Sequence, residues 1–126
     1  MSHPVQTSHQ SHQVQQDQSL RVSFTLLDDN DMPIPASSLL TATLTLTDLE
    51  TGRTINSRLL QDVLNANNVT ITEEGRVTWE MQGNADNVLV RSNQQLETHR
   101  GRFAFTWGNG GQFTHDVYLL VRKLGS

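Results

Sequence analysis

From Leu20 to Val121, apolar residues recur at every second position in short runs, and Asp, Asn, Gly and Pro separate the runs. A period of two puts one set of side chains on a single face of an extended strand, whereas a helix needs spacings of three and four. Leu20, Val22, Phe24 and Leu26 form the first set, closed by Asp28-Asp29-Asn30-Asp31 and the prolines Pro33 and Pro35. The second is the most regular, with Leu40, Ala42, Leu44 and Leu46 turned one way and Thr41, Thr43, Thr45 and Thr47 the other. Threonine, being β-branched, suits the exposed face of a pleated sheet. Two hairpins extend the pattern. Val69–Ile71 and Val77–Met81 flank the turn Thr72-Glu73-Glu74-Gly75, and Val77, Trp79 and Met81 share a face. His99, Phe103, Phe105 and Trp107 lead through Gly108-Asn109-Gly110-Gly111 to Phe113, His115, Val117, Leu119 and Val121. Turns of this composition reverse a chain within a few residues. Gly101 reads as a bulge.

Residues 57–66 break the rhythm. Ser57 is an N-cap residue type, and Leu60, Val63 and Leu64 fall on one helical face, so one or two helical turns are expected there. Gly83–Asp86 reads as a loop and Asn87–Val90 as a short strand. The sum is an all-β chain: an immunoglobulin-like antiparallel β-sandwich of about seven to eight strands with one short helix. Trp79 is the candidate core tryptophan, without an accompanying disulfide because the chain has no cysteine. A partly open barrel is the alternative.

Residues 1–19 stand apart. They hold no Lys or Arg and are dominated by Gln, Ser and His. So little apolar surface cannot offset the entropy of ordering, so the segment is expected to be extended and unable to fold alone. The reading divides the chain into an arm, 1–19, and a sandwich domain, 20–126. Twenty extended residues reach about 65 Å, enough to strap the domain to neighbouring subunits. Val5, Gln6, Gln10, Gln13, Val14, Gln15 and Gln16 are the expected contact residues.

Composition removes several function classes. A net charge of −4, with basic residues scattered apart from Arg100/Arg102 and Arg122/Lys123, does not fit a nucleic-acid binder. No apolar run is long enough for a membrane span, and residues 1–19 lack the basic and apolar regions of a signal peptide. Catalytic signatures are missing: there is no Gly-x-Ser-x-Gly elbow and no phosphate-binding loop followed by Lys-Ser/Thr. His3, His9 and His12 lie in the arm and nothing forces them to converge. His99 and His115, on the facing strands of the last hairpin, could titrate together or bind a metal weakly, but are read as buried, hydrogen-bonded structural residues. Asp28–Asp31 is read as an acidic turn, since the glycine and distal Glu of a calcium loop are missing. No cofactor and no metal are expected, and the chain is read as non-enzymatic.

The stretches Thr51–Arg58, Gln61–Asn67, Val69–Ile71, Gly75–Trp79 and Asp86–Val90, with the closing Phe103–Trp107 strand, resemble small immunoglobulin-like structural proteins of tailed bacteriophages. The resemblance spans roughly residues 20–123. It implies a virion component assembled in the host cytoplasm: a capsid decoration or cement protein, or a head–tail neck component. Its implied partners are other virion proteins, present in many copies. A weaker similarity, carried by the opening strand and the Asp-Asn-Asp-x-Pro-Ile loop, is to immunoglobulin-like modules of phage baseplates. An adhesion or glycan-binding module using the threonine face or Trp107 is the remaining alternative.

Overall fold

The computed structural model describes residues 6–91, 93 and 95–124. In chain order the elements are β1 (Gln6–Gln15), β2 (Leu20–Thr25), β3 (Leu39–Asp48), β4 (Gln61–Asp62), β5 (Val69–Ile71), β6 (Arg76–Met81), α1 (Gly83–Asp86), β7 (Leu96–Trp107) and β8 (Gly111–Arg122). Short 3-10 turns occupy Ala36–Ser38 and Gly108–Gly110.

The strands form two sheets, a five-stranded one ordered β1-β8-β7-β3-β4 and a three-stranded one ordered β2-β6-β5. With β2, β5 and β6 in one sheet and β3, β7 and β8 in the other, the strands take the B-E-D and C-F-G places of an immunoglobulin sandwich. The all-β, immunoglobulin-like expectation is met. One pair departs from the antiparallel pattern: β1 runs parallel to β8.

Alternation positions the core. Leu44, Leu46, Phe103, Phe105, Val117 and Leu119 project from the larger sheet onto Val22, Val77 and Trp79 of the smaller one, all buried. Phe24 and Trp79 meet the edge of Phe103 with ring centroids 5.2 and 5.4 Å away, the T-shaped geometry that aromatic quadrupoles favour. Gly101 is no bulge. It pairs in regular register with Leu46 and Val117, and a Cβ there would lie 2.9 Å from the Trp79 ring. The missing side chain makes room for the indole.

Residues 57–66 form no helix. Asn56, Ser57, Leu60, Asn65, Asn67 and Asn68 all have positive φ, a conformation that asparagine tolerates better than most residues and that cannot propagate a right-handed helix. Here Leu59 and Leu60 face solvent while Ile55, Arg58 and Val63 turn inward. The Arg58 guanidinium pairs with Asp86, which also accepts from Asn56 Nδ2 and the Gln82 amide. The helix falls instead at Gly83–Asp86, and 87–90 is irregular rather than a strand. A Cβ on Gly83 would collide with the carbonyl of Asp17, so α1 packs directly on the turn between β1 and β2. Asp17 N–H donates to Asn87 O, and Asn87 Nδ2 donates to Gln18 O.

Candidate interaction edge and a buried polar cluster

Residues 6–15 of the N-terminal arm lie along their own domain. β1 matches β8 in unbroken register from Gln6↔Phe113 to Gln15↔Arg122. The boundary expected after residue 19 therefore falls in a turn of the fold, and the expected contact residues take different places. Val5 lies outside the described residues. Gln6 pairs through its backbone with Phe113. Val14 is core, 4% exposed opposite Val121, because a sole apolar residue on a polar strand is best buried. Gln16 Oε1 accepts from the Leu124 amide. Gln10 is held internally as well. Among the set's residues whose side chains are described, Gln13 and Gln15 turn exposed side chains outward.

Gln10 is the centre of the seam. Its Nε2 donates to the Ser23 carbonyl (3.2 Å) and to His115 Nε2 (2.8 Å). A carbonyl only accepts, so the amide orientation is determined and His115 Nε2 must be the unprotonated nitrogen. His115 Nδ1–H then donates to Ser8 Oγ, and His12 Nε2–H donates to Gln10 Oε1 at 2.6 Å. Phe24 stacks on the His115 ring with centroids 3.9 Å apart. Burial, helped by the nearby His9 and opposed by Asp116, pushes the His115 pKa down to about 4. His115 is neutral in this fold. It and His99 are both buried and hydrogen-bonded, and they are not opposite each other: His115 faces Phe103 and His99 faces Leu119.

The far side of β1 is a sheet edge. Gln15 turns its N–H and C=O away from β8, toward Gln18. By the two-residue alternation, Thr7, His9, Ser11 and Gln13 present theirs to the same free side. Natural sheets blunt such edges with lysine, proline or bulges. This strand has none of these, and carries no Lys, Arg, Asp or Glu across its ten residues. Beside it, shallow grooves run along the outer face of β1 and β8 over Ser11, Gln13, Thr98, Tyr118 and Leu120.

A second polar region sits at the opposite flank of the larger sheet's inner face. Asp48 closes β3, and Glu97 and His99 open β7 on the same inward side; all three are buried. Asp48 is directly opposite His99. His99 Nε2 lies 2.8 Å from Glu97 Oε1 and 3.9 Å from Asp48 Oδ1. Asp48 Oδ2 accepts from the Thr51 amide and hydroxyl, and Glu97 accepts from the amides of Val90 and Arg91. Burial raises the Asp48 and Glu97 pKa values, but these hydrogen bonds and nearby positive charge outweigh it, holding both carboxyls below their ordinary range. The sequence reading missed this cluster because its inward set on this strand stopped at Leu46. The signal was present, since Asp48 continues the inward set Ala42, Leu44, Leu46.

The remaining candidate sites are turns or packing. Asp28 Oδ1 accepts from the Asn30 and Met32 amides, as an acidic turn does. Glu73 accepts from the amide and hydroxyl of Ser37. Trp107 is half-buried over Gly111, whose missing Cβ leaves room for the indole. No protein-family model matches this chain, and no curated protein matches its sequence.

Proposed function

We propose that this chain is a non-enzymatic structural protein of a bacteriophage virion that joins its neighbours through the free edge of β1. The observation that carries the assembly reading is an uncharged, ten-residue edge strand with outward-facing backbone donors and acceptors. An extended segment of another virion protein adds to such an edge by main-chain hydrogen bonds, with Gln13, Gln15 and the adjacent groove reading its side chains. The phage setting rests on the resemblance of residues 20–123 to immunoglobulin-like virion proteins, and a capsid decoration, cement or neck position suits a rigid sandwich with a single adhesive edge. Many weak edges acting together give a durable attachment.

The test blocks the edge without removing the strand. In Ser11→Pro the lost N–H is one that points to the free side, and proline is tolerated on sheet edges. The variant is expected to keep the wild-type circular dichroism spectrum and to be several-fold depleted from purified particles, as measured by mass spectrometry. Wild-type incorporation of a folded Ser11→Pro chain overturns the edge reading. Absence of the unaltered chain from particles overturns the virion reading.

A further inference from the structure

Among the described residues, Asp48, Glu97 and His99 are the one group of histidine and acidic side chains whose ligand atoms converge, all within 4.8 Å of one another. We propose that Asp48 Oδ1, Glu97 Oε1 and His99 Nε2 bind a divalent transition-metal ion of the Zn2+ type, with water as fourth ligand.

Four observations support the site. Asp48 Oδ1 is completely buried, has no hydrogen-bond partner, and points at His99 Nε2. An orphaned buried carboxylate oxygen costs free energy unless a cation or donor meets it. The outer oxygens are already anchored, Asp48 Oδ2 by Thr51 and Glu97 Oε2 by the backbone and side chain of Arg91. Such outer contacts fix the inner oxygens in place, as supporting shells do around metal ions.

Charge supplies the third argument. Arg91 pairs with Asp48, Glu50 and Glu97. The two buried carboxylates, Asp48 and Glu97, contribute −2, which a divalent ion between them neutralises, while Arg91 is balanced by exposed Glu50. Distance is the fourth. Tetrahedral Zn2+ with bonds of about 2.0–2.1 Å sets its ligand atoms roughly 3.4 Å apart. The present 2.8 Å contact must open, and the 3.9 Å one must close, by about half an ångström, while the Asp48–Glu97 pair, within 4.8 Å, must close onto the same spacing. Arg91, whose side chain is 21% exposed, bridges the buried pair to exposed Glu50. Coordination through Nε2 places the imidazole N–H on Nδ1, the ring nitrogen that is buried without a hydrogen-bond partner.

The test titrates the full-length, metal-free chain with Zn2+ and with Co2+, whose visible absorption reports four-coordination. One equivalent is expected to bind, to raise the melting temperature, and to shift the His99 ring nitrogens in NMR spectra while leaving those of His115 in place. Asp48→Asn is expected to weaken binding by about 100-fold, and Thr51→Ala by about 10-fold. A chain with His3, His9 and His12 replaced by Gln is expected to bind as the wild type does. Unmoved His99 resonances at saturating Zn2+ overturn the site, and that measurement needs no variant to fold. Binding that survives in folded Asp48→Asn, or disappears in the triple Gln chain, overturns it too.

Discussion

β8 is paired on both sides, and its two neighbours hold it by different physics. Toward β7 it faces Phe103, Phe105 and Gly101, and its own Phe113, Val117 and Leu119 enter a core closed by Trp79. Toward β1 it faces a strand whose one core residue is Val14; the rest of the seam is backbone pairing and the Ser8–Gln10–His12–His115 network. Hydrogen bonds exchanged with water contribute little net stability each, while buried apolar surface contributes in proportion to its area. The β7 side is therefore tied to global unfolding, and the β1 side to local opening. β1 can be both a structural element and the bearer of an adhesive edge, because Val14 is its one core residue and the β7–β8 pairing does not depend on the rest of the seam.

Phe103→Ala should separate the two sides most strongly. It removes the ring at the centre of the aromatic cluster and should cost about 3–5 kcal/mol, seen in denaturant unfolding as one cooperative loss of the whole domain. A mutant in which only β1 amides lose hydrogen-exchange protection would reverse the assignment. Acid probes the other side. His115 has a folded pKa of about 4 against 6.5 for the unfolded ring, so the unfolded or opened state binds the extra proton. The stabilisation is complete above pH 6.5, falls as pH drops through the window from 6.5 to about 4, and is gone below it. Its full size is about 3 kcal/mol. Protonation also turns His115 Nε2 into a donor facing the donor Gln10 Nε2, so β1 amides should lose protection before β7 amides do. His115→Gln should flatten that dependence; an unchanged pH profile in this variant would remove His115 from the account. Val14→Ala is the mildest probe. It should cost about 1–2 kcal/mol and raise exchange along β1 while β7 stays protected.

The framework was legible because it depends on local period. Alternation over Leu20–Leu26, Ala42–Thr47 and Phe103–Val121 sets which side chains are inward, but at the start of β3 a register shift between Leu39 and Thr41 buries Leu39 and leaves Leu40, expected inward, 67% exposed. The expected helix at 57–66 failed because the spacing of Leu60, Val63 and Leu64 competes with a distant partner. Burial of Arg58 against Asp86 and a series of left-handed residues, several of them Asn, lead the chain inward without a helical turn. The candidate metal cluster was half legible. His99 was placed on an inward face by parity, but its meeting with Asp48 depends on the β3–β7 register, set by long-range pairing.

The sequence by itself determined an all-β chain, its inward faces, its hairpin turns, and a polar N-terminal strand unable to fold alone. Those follow from side-chain period, turn chemistry and the low apolar content of residues 1–19. The tertiary structure decided where that strand goes. Residues 6–15 become ordered because β8 offers a complete row of backbone partners, the core accepts Val14, and Asn87 and Gly83 secure the following turn. Each of these contacts joins residues distant in the chain, so no local pattern encodes them.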